Sequence, residues 1–107
     1  MTIRHDALLL RIYVAQSRYR RALVEAMLAH GLRGAAAFKG VGGFGKRRRI
    51  SYENAVEALA DLPVVIEVVD DEDRVRAFIP VLETVLDDCL VTLERVQRVA
   101  PRAGTGA

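Results

Sequence analysis

The sequence predicts a single α+β domain in which two helices cover one face of a four-stranded antiparallel sheet. The length of 107 residues is typical of one domain, and the 51% share of apolar residues is enough for one continuous core. The hydrophobic pattern changes between a period of two and a period of three to four, in the order strand, helix, strand, strand, helix, strand. These observations exclude a two-domain enzyme and a disordered chain.

The first half of this order begins with an alternating segment over residues 7–14, which predicts a strand. One side of that strand carries Leu8, Leu10, Ile12 and Val14, and the other carries Leu9, Arg11 and Tyr13. A helix is expected to follow from an N-cap at Ser17, and Gly31 suits the left-handed position that closes it. Ala35 to Lys39 is predicted as a short second strand. Residues 51–61 fit a short helix after a Ser51 cap, whereas Arg49 to Tyr52 could instead be extended, and both interpretations stay open.

The second half begins with the β-branched run from Pro63 to Val69, which predicts a central strand. Four acidic residues at 70–73 follow it and suit the first turn of a helix, since carboxylates stabilise a helix N-terminus. Pro80 falls inside this second helix, which is expected to run through residue 88. Leu90 to Val99 alternates again and predicts the last strand. Residues 1–6 and 100–107 are predicted to be tails around a domain over residues 7–99.

This element order is the ferredoxin-like βαββαβ arrangement, with strand order 4-1-3-2 and right-handed crossovers. Two helices can cover only one face of such a sheet. The other face would carry side chains from the first and third strands, namely Leu9, Arg11, Tyr13, Val65, Glu67 and Val69. Because half of these are apolar and Arg11 can pair with Glu67, we expect the chain to self-associate through this face.

The charges are distributed unevenly along the chain. Residues 1–50 hold eleven basic and two acidic residues, a charge of +9, whereas residues 51–107 hold five basic and twelve acidic residues, a charge of −7. The simplest interpretation is that the two halves complement each other within the fold or between subunits. Nucleic-acid binding is not expected, because the strands carry few aromatic residues that could stack on bases.

A glycine-rich basic loop at residues 40–49 is the candidate ligand-binding site. It resembles both a dinucleotide turn and a Walker A sequence, but neither pattern is followed by the long helix that it needs. What remains is an anion site, in which glycine amides and four cations face a phosphate or an acidic partner surface. The candidate residues are Gly40, Gly42, Gly43, Phe44, Gly45, Lys46, Arg47, Arg48 and Arg49. The alternative is a solvated loop without a ligand.

The residue types needed for catalysis or metal binding do not form a recognisable pattern. His5, His30 and Cys89 are scattered, so no metal site or cofactor is predicted. The acidic residues at 70 and 71 are interpreted as helix caps rather than an acid–base pair. The longest apolar runs are far shorter than the roughly 20 residues of a membrane-spanning helix, and the N-terminus shows no secretory signal, so a cytoplasmic location is expected.

Four ordered segments resemble the PII-like proteins of the domain of unknown function 190 family. They are Leu9-Leu10-Arg11-Ile12-Tyr13, the loop Gly40-x-x-Gly43-Phe44-Gly45, the run from Asp61 to Asp70, and the strand Leu90-Val91-Thr92-Leu93-Glu94-x-Val96. The resemblance implies a homotrimer of ferredoxin-like subunits, with residues 41–61 corresponding to the T-loop. It also implies an adenine-nucleotide-type effector and a regulated partner, such as a membrane transporter or an enzyme. Ser51 stands where the family commonly has a histidine.

We therefore expect a non-enzymatic PII-like signalling protein that binds a small anionic effector and modulates a partner protein. The alternative hypothesis is a small ferredoxin-like oligomeric enzyme of unknown reaction, since this fold supports many chemistries.

Overall fold

The computed structural model describes residues 2–14, 19–44, 51–52, 62–86 and 89–101. These residues form a mixed α+β domain whose elements follow the predicted order, with one additional pair of very short strands. The elements are β1 (Thr2–Val14), α1 (Arg20–Ala29), β2 (Ala36–Lys39), β3 (Gly42–Gly43), β4 (Ser51–Tyr52), β5 (Val64–Asp70), α2 (Glu72–Val85) and β6 (Leu90–Pro101).

The main sheet is antiparallel throughout and has the order β2-β5-β1-β6. If the four strands of this sheet are numbered 1 to 4 in sequence order, the order is 2-3-1-4. Taken from the opposite edge, this is the predicted order 4-1-3-2, so the ferredoxin-like prediction is confirmed. The short strands β3 and β4 pair with each other in a separate two-stranded sheet.

A single hydrophobic core lies between the sheet and the two helices. Burial in β5 alternates strictly, as expected for a strand whose second face is not covered by a helix. The core side chains come from one face of β1 and β5, from one stripe of each helix, and from Leu32 and Leu86 just after the helices. They are Leu8, Leu10, Ile12, Val14, Leu23, Met27, Leu32, Val64, Ile66, Val68, Val75, Phe78, Leu82 and Leu86. Both helices therefore pack on the same face, and the opposite face remains uncovered in the subunit.

The two longest strands exceed their predicted bounds. β1 begins at Thr2 rather than Ala7, and β6 continues to Pro101 rather than ending at Val99. The cause is pairing, because β1 and β6 face each other continuously from Thr2 opposite Pro101 to Tyr13 opposite Leu90. Ladder hydrogen bonds can extend a strand through residues whose side chains show no hydrophobic alternation. Parts of both predicted tails are thus strand.

The helices begin and end close to the predicted positions. Tyr19 is the N-cap of α1, whereas the predicted cap at residue 17 lies outside the described residues. Gly31 has a φ of +84°, which confirms the predicted left-handed residue after the helix. Pro80 lies inside α2, which ends at Val85, earlier than predicted. Of the ambiguous segment 51–61, only the strand β4 and no later residue falls within the described ranges.

Candidate functional site

The base of the predicted anion-binding loop is held by contacts with the chain just before β5. The amide of Gly40 donates a hydrogen bond of 2.7 Å to the carbonyl oxygen of Pro63. A Cβ at position 40 would lie 2.8 Å from the Pro63 Cγ atom, so the close approach requires glycine. Two residues further on, β3 pairs with β4, which brings the two ends of the intervening segment together.

Beyond this base, the structure describes only part of the predicted site. Gly42 and Gly43 form β3, and the Phe44 side chain is exposed rather than packed in the core. The other candidates, Gly45, Lys46, Arg47, Arg48 and Arg49, lie outside the described residues. Their role in anion binding stays a prediction.

A second candidate feature was not predicted from the sequence. It is an open cavity of about 370 Å³ at the end of the sheet where β2 begins. β2 pairs with β5 from Lys39 opposite Val64 as far as Ala36 opposite Glu67, and the cavity lies at and beyond this last pair. The cavity is lined by Arg33, Gly34, Ala35, Ala36, Glu67, Val68, Val69 and Arg98.

The cavity lies beside a buried carboxylate. Asp70 is fully buried, and its Oδ1 atom accepts hydrogen bonds from Arg33 Nη2 at 2.7 Å and Nε at 3.1 Å. Its Oδ2 atom accepts the backbone amide of Arg33 at 2.9 Å. Burial raises the pKa of Asp70, but the hydrogen bonds from the side chain and backbone of Arg33 outweigh it, so the pKa lies below its usual value. The same pairing raises the pKa of Arg33. Asp70 thus fixes Arg33 as a cation at the cavity.

The neighbouring carboxylate, Asp71, bridges two arginines. Its Oδ1 atom accepts a 2.7 Å hydrogen bond from Arg98 Nη2, and its Oδ2 atom lies 2.9 Å from Arg33 Nη2. The hydrogen bond from Arg98 lowers the pKa of Asp71 below its usual value. This carboxylate and its two guanidinium partners therefore bring strand β6 and the segment before β2 together beside the cavity.

The uncovered face of the sheet carries an apolar row across all four strands. The strand registers place Phe38, Val65, Tyr13 and Leu90 side by side. Three of them are well exposed, at 54% for Phe38, 40% for Tyr13 and 61% for Leu90. In the next row, Arg11 lies opposite Glu67 and forms the predicted ion pair. The predicted composition of this face is confirmed, and two members from the edge strands, Phe38 and Leu90, extend it.

Sequence reasoning missed the arginines at the cavity because their partners are distant in sequence. Asp70 is 37 residues from Arg33, and Asp71 is 27 residues from Arg98. The available signal was indirect: an acidic pair directly after a central strand, which is equally typical of a helix cap.

The described ranges contain neither a cluster of metal-ligating side chains nor a helix that could span a membrane. Within them, His, Cys, Asp and Glu side chains form no group of three that could hold a metal ion. Neither of the two helices there has the length and apolar character to cross a membrane.

Sequence comparison with known proteins identifies a family and relatives of this chain. Residues 7–98 match the model of the DUF190 family, described as "Uncharacterized ACR". A UPF0166 protein of Aquifex aeolicus (strain VF5) is 34% identical over 89 residues, covering 83% of this chain and 93% of the relative. A second UPF0166 protein of the same organism is 30% identical over 95 residues, with coverage of 83% and 90%.

Solved structures share the fold at low sequence identity. CPII, a nitrogen regulatory PII-like protein from Thiomonas intermedia K12 bound to ADP, AMP and bicarbonate, superposes with a TM-score of 0.68 at 15% identity, covering 90% of this chain and 91% of CPII. A protein of Thermus thermophilus described as PII-like has a TM-score of 0.64 at 18% identity, with 94% of each chain covered. At such identities the likeness concerns the fold.

Proposed function

The chain belongs to the DUF190 family and has the fold of PII-like proteins, and on this premise we propose that it is a non-enzymatic regulatory protein that binds a small anionic, nucleotide-type effector. Effector binding would change how the protein acts on a partner, such as a membrane transporter or an enzyme. The observation that carries this proposal is the cavity at the start of β2, which is lined by two cationic side chains, Arg33 and Arg98.

The cavity offers the two kinds of contact that a nucleotide needs. Guanidinium groups bind phosphate oxygens through charge-assisted hydrogen bonds, which are stronger than neutral ones. Gly34 to Ala36, Val68 and Val69 supply small and apolar lining, which suits a base or a sugar. The volume of about 370 Å³ is in the usual range for small-molecule sites, roughly 300–1,000 Å³.

The state of the carboxylates favours binding over acid–base catalysis. Both Asp70 and Asp71 have pKa values below their usual range, because arginines hydrogen-bond to them. A general acid working near neutral pH needs a raised pKa instead. These groups therefore act as fixed negative charges that position cations.

The glycine loop is proposed to complete the site from a neighbouring subunit. The cavity lies at the start of β2 and the loop leaves the end of β2, so a strand of four residues separates them, about 13 Å at 3.3 Å per residue. Loop cations of one subunit can approach the cavity of the next if the subunits form a closed ring. The loop residues Gly40 to Arg49 would then contact the anion or the partner protein.

A homotrimer would also cover the exposed apolar row on the sheet. Phe38, Tyr13 and Leu90 are too exposed to be part of the subunit core. Burial of apolar surface contributes about 25 cal/mol per Å², which favours association through this face. CPII, which has the same fold, was observed with ADP, AMP and bicarbonate. That likeness supports oxyanions as candidate effectors for this chain.

A calorimetric titration tests the proposal. The wild-type protein is titrated with adenine and guanine mono-, di-, tri- and cyclic nucleotides and with bicarbonate. We expect at least one to bind, and Arg98→Ala to weaken that binding at least tenfold. Arg95→Ala is the matched control, because Arg95 lies on the same strand but pairs with Glu72 on the helix-covered side. If no compound binds, or if both variants bind like the wild type, the cavity is not the effector site.

A further inference from the structure

The side chain of Asp71 does not make the hydrogen bond that its position at a helix N-terminus favours. It is the N-cap of α2, where an aspartate ordinarily accepts a hydrogen bond from an amide in the first turn. Its backbone has the extended conformation typical of an N-cap, with φ −61° and ψ 146°, yet its side chain makes no cap hydrogen bond. The carboxylate points instead to Arg98 and Arg33, with one oxygen on each guanidinium group, and Arg74 Nε lies farther off, 3.9 Å from Oδ2.

The two neighbouring carboxylates differ in how firmly they are held. Asp70 has no exposed surface and accepts four hydrogen bonds, three from Arg33 and one from the Asp71 amide. Asp71 has a side chain that is 41% exposed, so water and solutes can reach it. Arg33 would therefore keep its position through Asp70 if Asp71 moved away.

We propose that Asp71 is an internal competitor of the anionic ligand, occupying the arginine pair until an oxyanion displaces it. This inference rests on the proposed function, because it assigns the regulation of the same cavity. A phosphate or carboxylate oxygen between Arg33 and Arg98 takes the place of the Asp71 oxygens.

A displaced Asp71 carboxylate has an alternative hydrogen-bond donor close to it, a backbone amide at the start of α2. Because the backbone of Asp71 already has the N-cap conformation, rotation of the side chain alone brings the carboxylate toward the amide of Asp73 in the first turn of α2. The following amide, that of Arg74, donates to Asp73 Oδ1. Anion binding thus exchanges an arginine bridge for a helix cap. Ligand occupancy is thereby linked to one of the two bridges between β6 and α2, since Arg98 contacts Asp71 while Arg95 is paired with Glu72.

The test compares two charge-neutralising variants with ADP and inorganic phosphate as probes. Asp71→Asn keeps the size of the side chain but weakens its competition for the arginines, so we expect ADP to bind about three- to tenfold more tightly than to the wild type. The control is Glu83→Gln, which removes an exposed negative charge from the same helix, twelve residues after Asp71. Its affinity is expected to equal that of the wild type.

A second measurement separates displacement from a general charge effect. In the wild-type protein, amide NMR signals of residues 72–74 should shift on ADP addition as the cap forms, and these shifts should be absent in Asp71→Ala. Equal or weaker ADP binding by Asp71→Asn, or equal gains in Asp71→Asn and Glu83→Gln, would overturn the inference while leaving the effector site in place. If neither wild type nor Asp71→Asn binds either probe, both this inference and the nucleotide-type effector are wrong.

Discussion

Arg11 on β1 and Glu67 on β5 lie directly opposite each other on the uncovered face of the sheet, with 2.7 Å between Nε and Oε2. The hydrogen bond to Glu67 raises the pKa of Arg11. Both side chains are about one-third exposed, and the exposed apolar row containing Tyr13 is adjacent to them. A paired charge can be buried in an interface at far lower cost than an unpaired one. This face is therefore compatible with association.

The oligomeric state depends on the apolar row. Tyr13→Asp places a charge at its centre, so we expect the proposed trimer to dissociate into monomers at micromolar concentration. Multi-angle light scattering measures the mass directly. Leu28→Asp is the matched control, because Leu28 is an exposed apolar residue on α1, away from this face. A wild-type protein that is monomeric, or a Tyr13→Asp trimer, would contradict the prediction.

The buried Asp70 stabilises the fold at neutral pH. Asp70→Ala leaves the Arg33 guanidinium and two backbone amides without their acceptor, and we expect a loss of about 3 kcal/mol in the free energy of unfolding. This loss is at the low end for buried pairs because Arg33 is half-exposed and can be hydrated. Urea unfolding at pH 7 gives the value. Glu83→Ala, at an exposed position of α2 far from Asp70, should change it by less than about 0.5 kcal/mol.

The free energy of unfolding should decrease in acid because of three adjacent carboxylates, at residues 70–72. Asp70, Asp71 and Glu72 all have lowered pKa values in the folded protein, so the unfolded chain takes up protons first as the pH falls. Their contribution is complete above the unfolded values of about 4 and is lost as the pH drops through the lower folded values. Thermal unfolding between pH 2 and 7 measures this. A flat profile below pH 4 would show that the cluster contributes nothing.

Gly40 is the glycine whose replacement meets the main chain. In Gly40→Ala the new Cβ would lie 2.8 Å from the Pro63 Cγ atom and 3.2 Å from its carbonyl oxygen, so the loop base must shift. We expect a lower unfolding temperature and weaker effector binding. The matched control is Gly34→Ala, since a Cβ there meets no atom within 4 Å. Equal unfolding temperatures for the two variants would show that the approach at Pro63 is not constrained.

The loop cations are expected to act on the ligand and not on the fold. Replacing Arg47 and Arg48 with Ala should weaken nucleotide binding about 10- to 100-fold, because charge-assisted hydrogen bonds to phosphate are lost. The unfolding temperature should stay near that of the wild type, and wild-type affinity should fall with added salt. Calorimetry at two salt concentrations checks the affinities, and thermal unfolding of the double variant checks the fold. Undiminished binding by the double variant would assign the loop to an acidic partner surface.

The candidate site was predictable only in part. Gly40 could be singled out as a loop glycine, but its contact with Pro63 follows from the path of the chain and not from composition. The Arg11–Glu67 pair could be predicted because both residues fall on the polar positions of alternating strands that the topology makes neighbours. Arg33 lies between elements, where no periodicity assigns its side chain a direction, so its bond to Asp70 could not be predicted.

The sequence by itself determined the type and order of the elements, because helix and strand periods are local properties of successive side chains. It also determined which residues of β1 and β5 share a face. The tertiary structure alone decided the full length of β1 and β6, since strand pairing can extend through residues without hydrophobic alternation. The tertiary structure also brought Arg33, Asp70, Asp71 and Arg98 together. The hydrophobic period of a helix or strand indicates which of its faces is buried, but not which distant residue it contacts.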